Sequence, residues 1–257
     1  MKVVIIGAGN VATVLGRLML AAGHEIVQVA SRQREHAARL AELLNSGHTV
    51  DLAELSPDGE LYLVAISDTA LVEFGGRVRL PGKLVVHTAG SVPMEVLAPV
   101  SDHIGVLYPL QSLRKEIWPS PEIPLLVDGG TGADLERVMV FARTLPARVE
   151  AAGDGTRMKL HLAGVFLNNF SNHLYALAEE YCRKEAIDFG LLQPLIKETA
   201  ARISYFHPRD VQTGPAIRGD EVTVKKHLEL LDNYDDIKAL YGLFTKQIEE
   251  IRRERKG

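Results

Sequence analysis

The run Lys2-Val3-Val4-Ile5-Ile6 ends abruptly in Gly7-Ala8-Gly9-Asn10-Val11-Ala12, and an apolar helical pattern through Val14, Leu15, Leu18 and Met19 begins at once. β-Branched residues favour a strand, and the spacing that follows is that of a tight turn opening a helix that Gly23 can terminate. Each small residue has a mechanical reason. Gly7 allows the sharp turn, Gly9 lets backbone N–H groups approach a pyrophosphate, and Ala12 lets the helix pack close to the strand. Phosphates would rest on the positive end of the helix, where N–H groups lack partners. The stretch predicts a dinucleotide site at Gly7, Gly9, Asn10 and Val11. The plainer reading is a tight turn and nothing more.

Glu25–Ala30 reads as the second strand and ends at Ser31-Arg32, where this arrangement meets the adenosine ribose. A carboxylate there would bond a free 2′-hydroxyl, whereas a hydroxyl followed by a guanidinium suits a 2′-phosphate. The expected cofactor is therefore NADP. Alternatively, Ser31 caps the next helix, expected from Arg34 to Asn45 with Ala38, Ala41 and Leu44 facing the sheet and a stop near Gly47. Thr49-Val50 is a short strand. Leu61–Ile66 and Leu84–Val86 are continuous apolar runs, as in strands covered on both faces. They end in the polar corners Ser67-Asp68-Thr69 and His87-Thr88-Ala89-Gly90-Ser91. Ligands gather outside such carboxyl ends, so Ile66, Ser67 and Thr88 are expected at the cofactor and His87 at the substrate. Ser67 or Asp68 could instead cap a helix, as could Ser91 before Val92-Pro93, and a lone histidine is more often structural. Gly105–Ser112 is a strand followed by a turn where Pro109 blocks continuation into the sheet, and Gln111 with Ser112 adds neutral hydrogen-bonding groups to the same rim. Two further strands, at 124–127 and 147–150, flank a helix at 133–145.

After Gly153-Asp154-Gly155 the alternation stops and the period becomes helical, near 156–187, 190–206 and 221–254. The expected fold is α/β: a mostly parallel sheet with helices on both faces over 1–153, then an all-α domain over 154–257. On the first of those helices, rotation of about 100° per residue puts Asn168 and Asn172 within roughly 20° of His161, with Asn169 about 80° away. Buried amides and an imidazole need polar partners, either a substrate or neighbouring backbone. The segment His207–Asp220 is too rich in glycine and proline for a helix. Within it Arg218 could fork onto a carboxylate, and Asp220 suits a cap for a helix starting at Glu221.

Composition excludes several classes. There are 29 basic and 33 acidic residues, with no strong block of one sign before Arg252-Arg253-Glu254-Arg255-Lys256, which argues against nucleic acid as a partner. The single Cys182 can make no internal disulfide and has no second thiol for a metal site, which suggests a reducing compartment. The chain enters a core strand directly and holds no apolar run of bilayer length, so neither a leader nor a membrane partner is expected and the location expected is cytoplasmic.

Taken together, Gly7–Ala12, Val86–Ser91, Tyr108–Gln111, His161-Leu162-Ala163 with Asn169-Phe170, and Thr213–Asp220 with Thr223-Val224 and His227-Leu228 resemble a known family. It is the Rossmann-like NADP oxidoreductases whose C-terminal half is the domain of unknown function 2520. More distantly the chain is similar to ketopantoate reductase, pyrroline-5-carboxylate reductase, β-hydroxyacid dehydrogenases and deazaflavin-dependent NADP oxidoreductases. The resemblance implies NADP binding, a helical second domain and a homodimer formed through it. Some of those relatives pair a helix lysine with an asparagine four residues on; here Lys159 is followed at that distance by Ala163. The expected activity is hydride transfer between NADP and a small carbonyl or 2-keto acid, ketopantoate-like compounds included. His161 or Lys159 would move the proton, Asn169 would orient the group, Asn168 and Asn172 would line the substrate site and Arg218 would hold a carboxylate. The alternative expectation, suggested by the incomplete pair, is an NADP-binding sensor without turnover.

Overall fold

A computed structural model describes residues Met1–Arg255. Lys256, the last residue of the terminal charged run, lies outside the described residues. The chain divides into two compact units, Met1–Phe170 and Ser171–Gly257.

The first unit is built on one eight-stranded sheet in the order β3-β2-β1-β4-β5-β6-β7-β8. Its strands are β1 (Lys2–Ile6), β2 (Glu25–Ala30), β3 (Gly47–Thr49), β4 (Leu61–Val64), β5 (Leu84–His87), β6 (His103–Pro109), β7 (Leu125–Gly129) and β8 (Val149–Ala151). Strands β3 to β6 are mutually parallel, β7 runs antiparallel to β6, and β8 is parallel to β7. Side chains along the central strands alternate between two apolar layers. Val3, Ile5, Leu61, Leu63, Leu84 and Val86 enter one, and Val4, Ile6, Tyr62, Val64 and Val85 the other. Period-two alternation with both faces apolar is what the continuous hydrophobic runs encode.

Helices α1 (Asn10–Ala21), α2 (Arg34–Leu43) and α4 (Gly132–Ala142) cover the first layer with Leu15, Met19, Leu40, Ala41, Val138 and Phe141. Helix α3 (Asp68–Phe74) and a 3₁₀ turn at Met94–Leu97 cover the second with Leu71, Phe74 and Leu97. Full burial of such side chains stabilises by about 1.5–3 kcal/mol each before entropy is counted.

Local details depart from the sequence reading. Helix α2 buries Ala37 and Leu40 beside Ala41, with Leu44 just past its end; Ala38 is half-buried. The helix ends through Asn45, at a φ of 52°, rather than at Gly47, which already begins β3. Asparagine tolerates that left-handed conformation. Ser31 caps nothing, because Gln33 holds the N-cap position of α2. Ser67 occupies the N-cap position of α3 without a side-chain bond. Ser91 is not a cap either; its hydroxyl donates to the Asp68 carboxylate.

Helix α5 (Asp154–Gly164) and a π-helix at Val165–Phe170 belong to the first unit, so by contacts the division falls beyond Gly153, where the periodicity changes. The second unit is all helical: α6 (Ser171–Lys184), a 3₁₀ turn at Phe189–Leu192, α7 (Gln193–Arg202), α8 (Pro215–Arg218), α9 (Glu221–Leu230) and α10 (Asp235–Glu254). Asp220 caps α9, accepting from the Thr223 N–H at 3.0 Å. The stretch expected to be wholly non-helical carries the one-turn α8, started by Pro215 and stopped by Gly219 at a φ of 73°. Cys182 is buried. Among the described residues no helix is long and apolar enough to cross a membrane, and no cluster of three or more His, Cys, Asp or Glu could hold a metal.

Candidate active site

The connection out of β3 crosses back past β1 to β4, which opens a crevice at the carboxyl ends of β1 and β4. Gly7 turns the chain there at a φ of 120°, and a Cβ on it would stand 2.1 Å from the Ala65 carbonyl oxygen. Only glycine fits that crossing. Gly9, the N-cap residue of α1, has no side-chain cap and open space where a Cβ would point. The first turn of α1 holds no acid, so its positive end faces the opening uncompensated.

Two cavities extend from this point. One, of about 510 Å³, is lined by Gly7, Gly9, Asn10, Ser31, Arg32, Gln33, His36, Ile66, Ser67 and Lys115 among others. The other, of about 800 Å³, is lined by Gly9, Asn10, Val11, Ile66, Ser67, Asp68, Thr88, Gly90, Tyr108, Gln111, Ser112, His161, Asn168 and Asn169 among others. They share Gly9, Asn10, Ala65, Ile66 and Ser67. An elongated ligand with an anionic middle fits this layout, its centre on the α1 N-terminus and one arm in each cavity.

The larger cavity holds a polar pair. Tyr108, at the carboxyl end of β6, meets His161 on α5, with the phenol oxygen 3.0 Å from Nδ1. Burial raises the phenol above its usual pKa, Arg157 opposes that shift, and Asp68 adds to it. The phenol is therefore protonated near neutral pH and shares a hydrogen bond with Nδ1, whose direction the imidazole tautomer sets. Gly90 makes the pair possible, since a Cβ there would lie 2.7 Å from His161 Nδ1 and 2.8 Å from Tyr108 Cζ. Asn168 and Asn169 reach the same cavity from the π-helix, a form of helix that recurs at functional sites.

One buried cation fixes α5. The Arg157 side chain is 1% exposed; its Nη2 donates to the Val92 carbonyl at 2.8 Å and to Asp154 Oδ1 at 2.6 Å. The Asp154 carboxylate also accepts from the Met94 N–H at 3.2 Å and 3.3 Å. This network ties the helix bearing His161 to the loop after β5.

The structure thus gathers Gly7, Gly9, Asn10, Val11, Ser31, Arg32, Ile66, Ser67, Thr88, His161, Asn168 and Asn169 around two adjoining cavities. It does not bring His87 or Lys159 there. His87 is wholly buried at the end of β5, where Nδ1 accepts from the Ala89 N–H at 3.1 Å. Lys159 is exposed on α5. Asn172 and Arg218 belong to the second unit, both exposed. The sequence expectations give no role to Tyr108, Arg157 or Lys115. A tyrosine ahead of proline at a strand end was the available signal for the first; nothing local marks the other two.

The family model described as NADP oxidoreductase coenzyme F420-dependent matches residues 2–90, and that for the domain of unknown function DUF2520 matches residues 123–248. The chain is 41% identical to the putative NADP oxidoreductase BF3122 from Bacteroides fragilis, with 97% of this chain and 98% of that one covered and a TM-score of 0.89. The chain belongs to this NADP oxidoreductase family. NADP is the cofactor for which the family is named, and the uncapped helix end and open Gly9 fit its pyrophosphate. Similar in fold are an imine reductase from Myxococcus stipitatus solved with NADP+ (16% identity, 99% and 95% covered, TM-score 0.68) and 1-pyrroline-5-carboxylate reductase from Streptococcus pyogenes (14%, 97% and 98%, 0.65). No curated protein matches the chain.

Proposed function

We propose that the protein is an NADPH-dependent reductase of a small carbonyl compound or its C=N counterpart, with Tyr108 and His161 holding the proton that the reduced oxygen or nitrogen takes. The Tyr108–His161 hydrogen bond inside the cavity adjoining the glycine turn carries this reading. Gly9 and the α1 N-terminus hold the pyrophosphate, Ser31 and Arg32 the 2′-phosphate, and Thr88 and Ile66 line the path toward the nicotinamide end. Bound NADPH supplies a hydride to the substrate carbon. At the other end of the polarised bond the Tyr108 hydroxyl gives its proton to oxygen or nitrogen. In the tautomer that carries its proton on Nδ1, His161 passes that proton to the phenolate oxygen while Nε2 takes one from solvent. The Asn168 and Asn169 amides orient the reacting group.

Among the described residues no Lys or Arg lines the larger cavity, and Asp68 is its one acid. That balance supports an uncharged or cationic substrate over a 2-keto acid. The test is NADPH oxidation, followed by absorbance, with ketones, 2-keto acids and cyclic imines. Turnover is expected with uncharged ketones or imines. Tyr108→Phe should lower kcat by about 10²–10⁴ while leaving the Kd for NADPH unchanged. NADPH binding without oxidation of any compound would overturn the reductase reading and favour a non-catalytic sensor. Full activity in Tyr108→Phe would remove the proposed proton donor.

The assembly belongs to the same reading. In the second unit Leu191, Leu195, Tyr205, Val222 and Leu230 are 61–81% exposed. Apolar exposure on this scale supports a homodimer formed through the helical unit.

A further inference from the structure

The β6–β7 connection is a long loop whose neck and body are tied to the first unit. Its neck closes through the Leu110 N–H to the Pro124 carbonyl at 2.8 Å and Gln111 Nε2 to the Glu122 carbonyl at 3.2 Å. Leu113 and Ile123, 7% and 1% exposed, sink into the apolar layer that also holds Leu15 and Met19. Between these anchors the loop crosses the start of α1. The Lys115 N–H donates to Asn10 Oδ1 at 3.4 Å, Arg17 Nη1 donates to the Lys115 carbonyl at 3.3 Å, and the Arg17 guanidinium lies 5.1 Å from the centre of the Trp118 ring.

The backbone of Lys115 is therefore fastened on both sides, to the first residue of α1 and to a residue on the same helix. Lys115 lines the 510 Å³ cavity with Ser31, Arg32 and His36, and also an adjoining cavity of about 470 Å³ that holds Ala8, His36 and Arg39. Ala8, His36 and Lys115 thus line both cavities.

Charge in this corner is unbalanced. Glu73 is the one acid lining the 510 Å³ cavity, and it is already paired with Arg77 at 3.1 Å. Among the described residues neither the Arg32 guanidinium nor the Lys115 ammonium has a carboxylate within 4.0 Å. Two uncompensated cations and an imidazole around one cavity suit a dianionic group better than a hydroxyl.

The geometry points to Lys115 as a residue that selects NADP over NAD, meeting the 2′-phosphate in the cavity it lines together with Arg32 and His36. This rests on the NADP-binding reading above and adds to it a contact from outside the β2–α2 corner. A lysine suits the task because its flexible stem can deliver a point charge from a loop, whereas Arg32 offers a fixed fork.

The test is a titration of wild type, Lys115→Gln and Lys115→Arg with NADPH, NADH, adenosine 2′,5′-bisphosphate and AMP, read as Kd by calorimetry. Lys115→Gln should weaken NADPH and the bisphosphate about tenfold and change NADH and AMP less than twofold; Lys115→Arg should stay near wild type. Equal weakening of NADPH and NADH would overturn the assignment, since it would place Lys115 at the pyrophosphate or show that the loop had moved. No change with any ligand would overturn it as well. The ratio of the two affinities decides even if Lys115→Gln lowers the melting temperature of the free protein. Wild-type protein that binds none of the four would instead overturn the NADP-binding reading itself.

Discussion

Single residues carry both the chemistry and a pH signature. His87 was expected at the substrate because it ends an apolar strand, but β5 buries it completely beside a buried arginine. Burial, reinforced by Arg157, lowers its pKa from 6.5 to about 4. A histidine held neutral in the fold and free to charge when unfolded stabilises fully above pH 6.5; that contribution is lost as pH falls from 6.5 through 4. Between pH 7 and 4.5 the loss should be on the order of 2–3 kcal/mol. Urea unfolding of wild type and His87→Gln at the two pH values measures it, and the variant should show the smaller drop. A drop of the same size in both would contradict the assignment. The glycine turn was legible because its spacing states its mechanics within a few residues. Tyr108 and His161 are 53 positions apart. No local pattern reveals a pair that forms only because Gly90 leaves the gap between them.

The strands were legible as elements, since a run buried on both faces has no polar positions to mislead. Helix ends were read less well. Asn45 did the work expected of Gly47, and the helix expected over 156–187 is interrupted by the π-helix at Val165–Phe170. That interruption overturns the even 100° rotation used to align Asn168 and Asn172 with His161. Of Asn168, Asn169 and Asn172, the first two share the cavity with His161, alongside Asn10 and Gln111. The helices of the second unit carry large apolar side chains that a lone chain leaves in water, Val222 at 68% and Leu230 at 63% among them. If a second copy covers them, light scattering after size exclusion should return twice the 28.2 kDa chain mass. A monomer at micromolar concentration would contradict that assembly. Amphipathic periodicity could announce these helices, but not which of their faces another chain would cover.

The molecule as a whole follows from the order of its strands. A mostly parallel sheet whose connections reverse beside β1 leaves a crevice; the glycine turn, Ser31-Arg32 and Tyr108 lie along it because each ends a strand or begins a helix at that edge, and His161 reaches it from α5. Class, strand succession and the glycine turn could be read from one dimension. The loop that carries Lys115 over α1 and the network that Arg157 builds between α5 and the β5 loop could not, because both depend on distant segments meeting. The central claim is that this crevice binds a phosphorylated dinucleotide. Calorimetric titration of the wild-type chain with NADPH and with NADH tests it most directly. One NADPH per chain, bound at least tenfold tighter than NADH, is the predicted result; equal affinities, or no heat with either nucleotide, would contradict it.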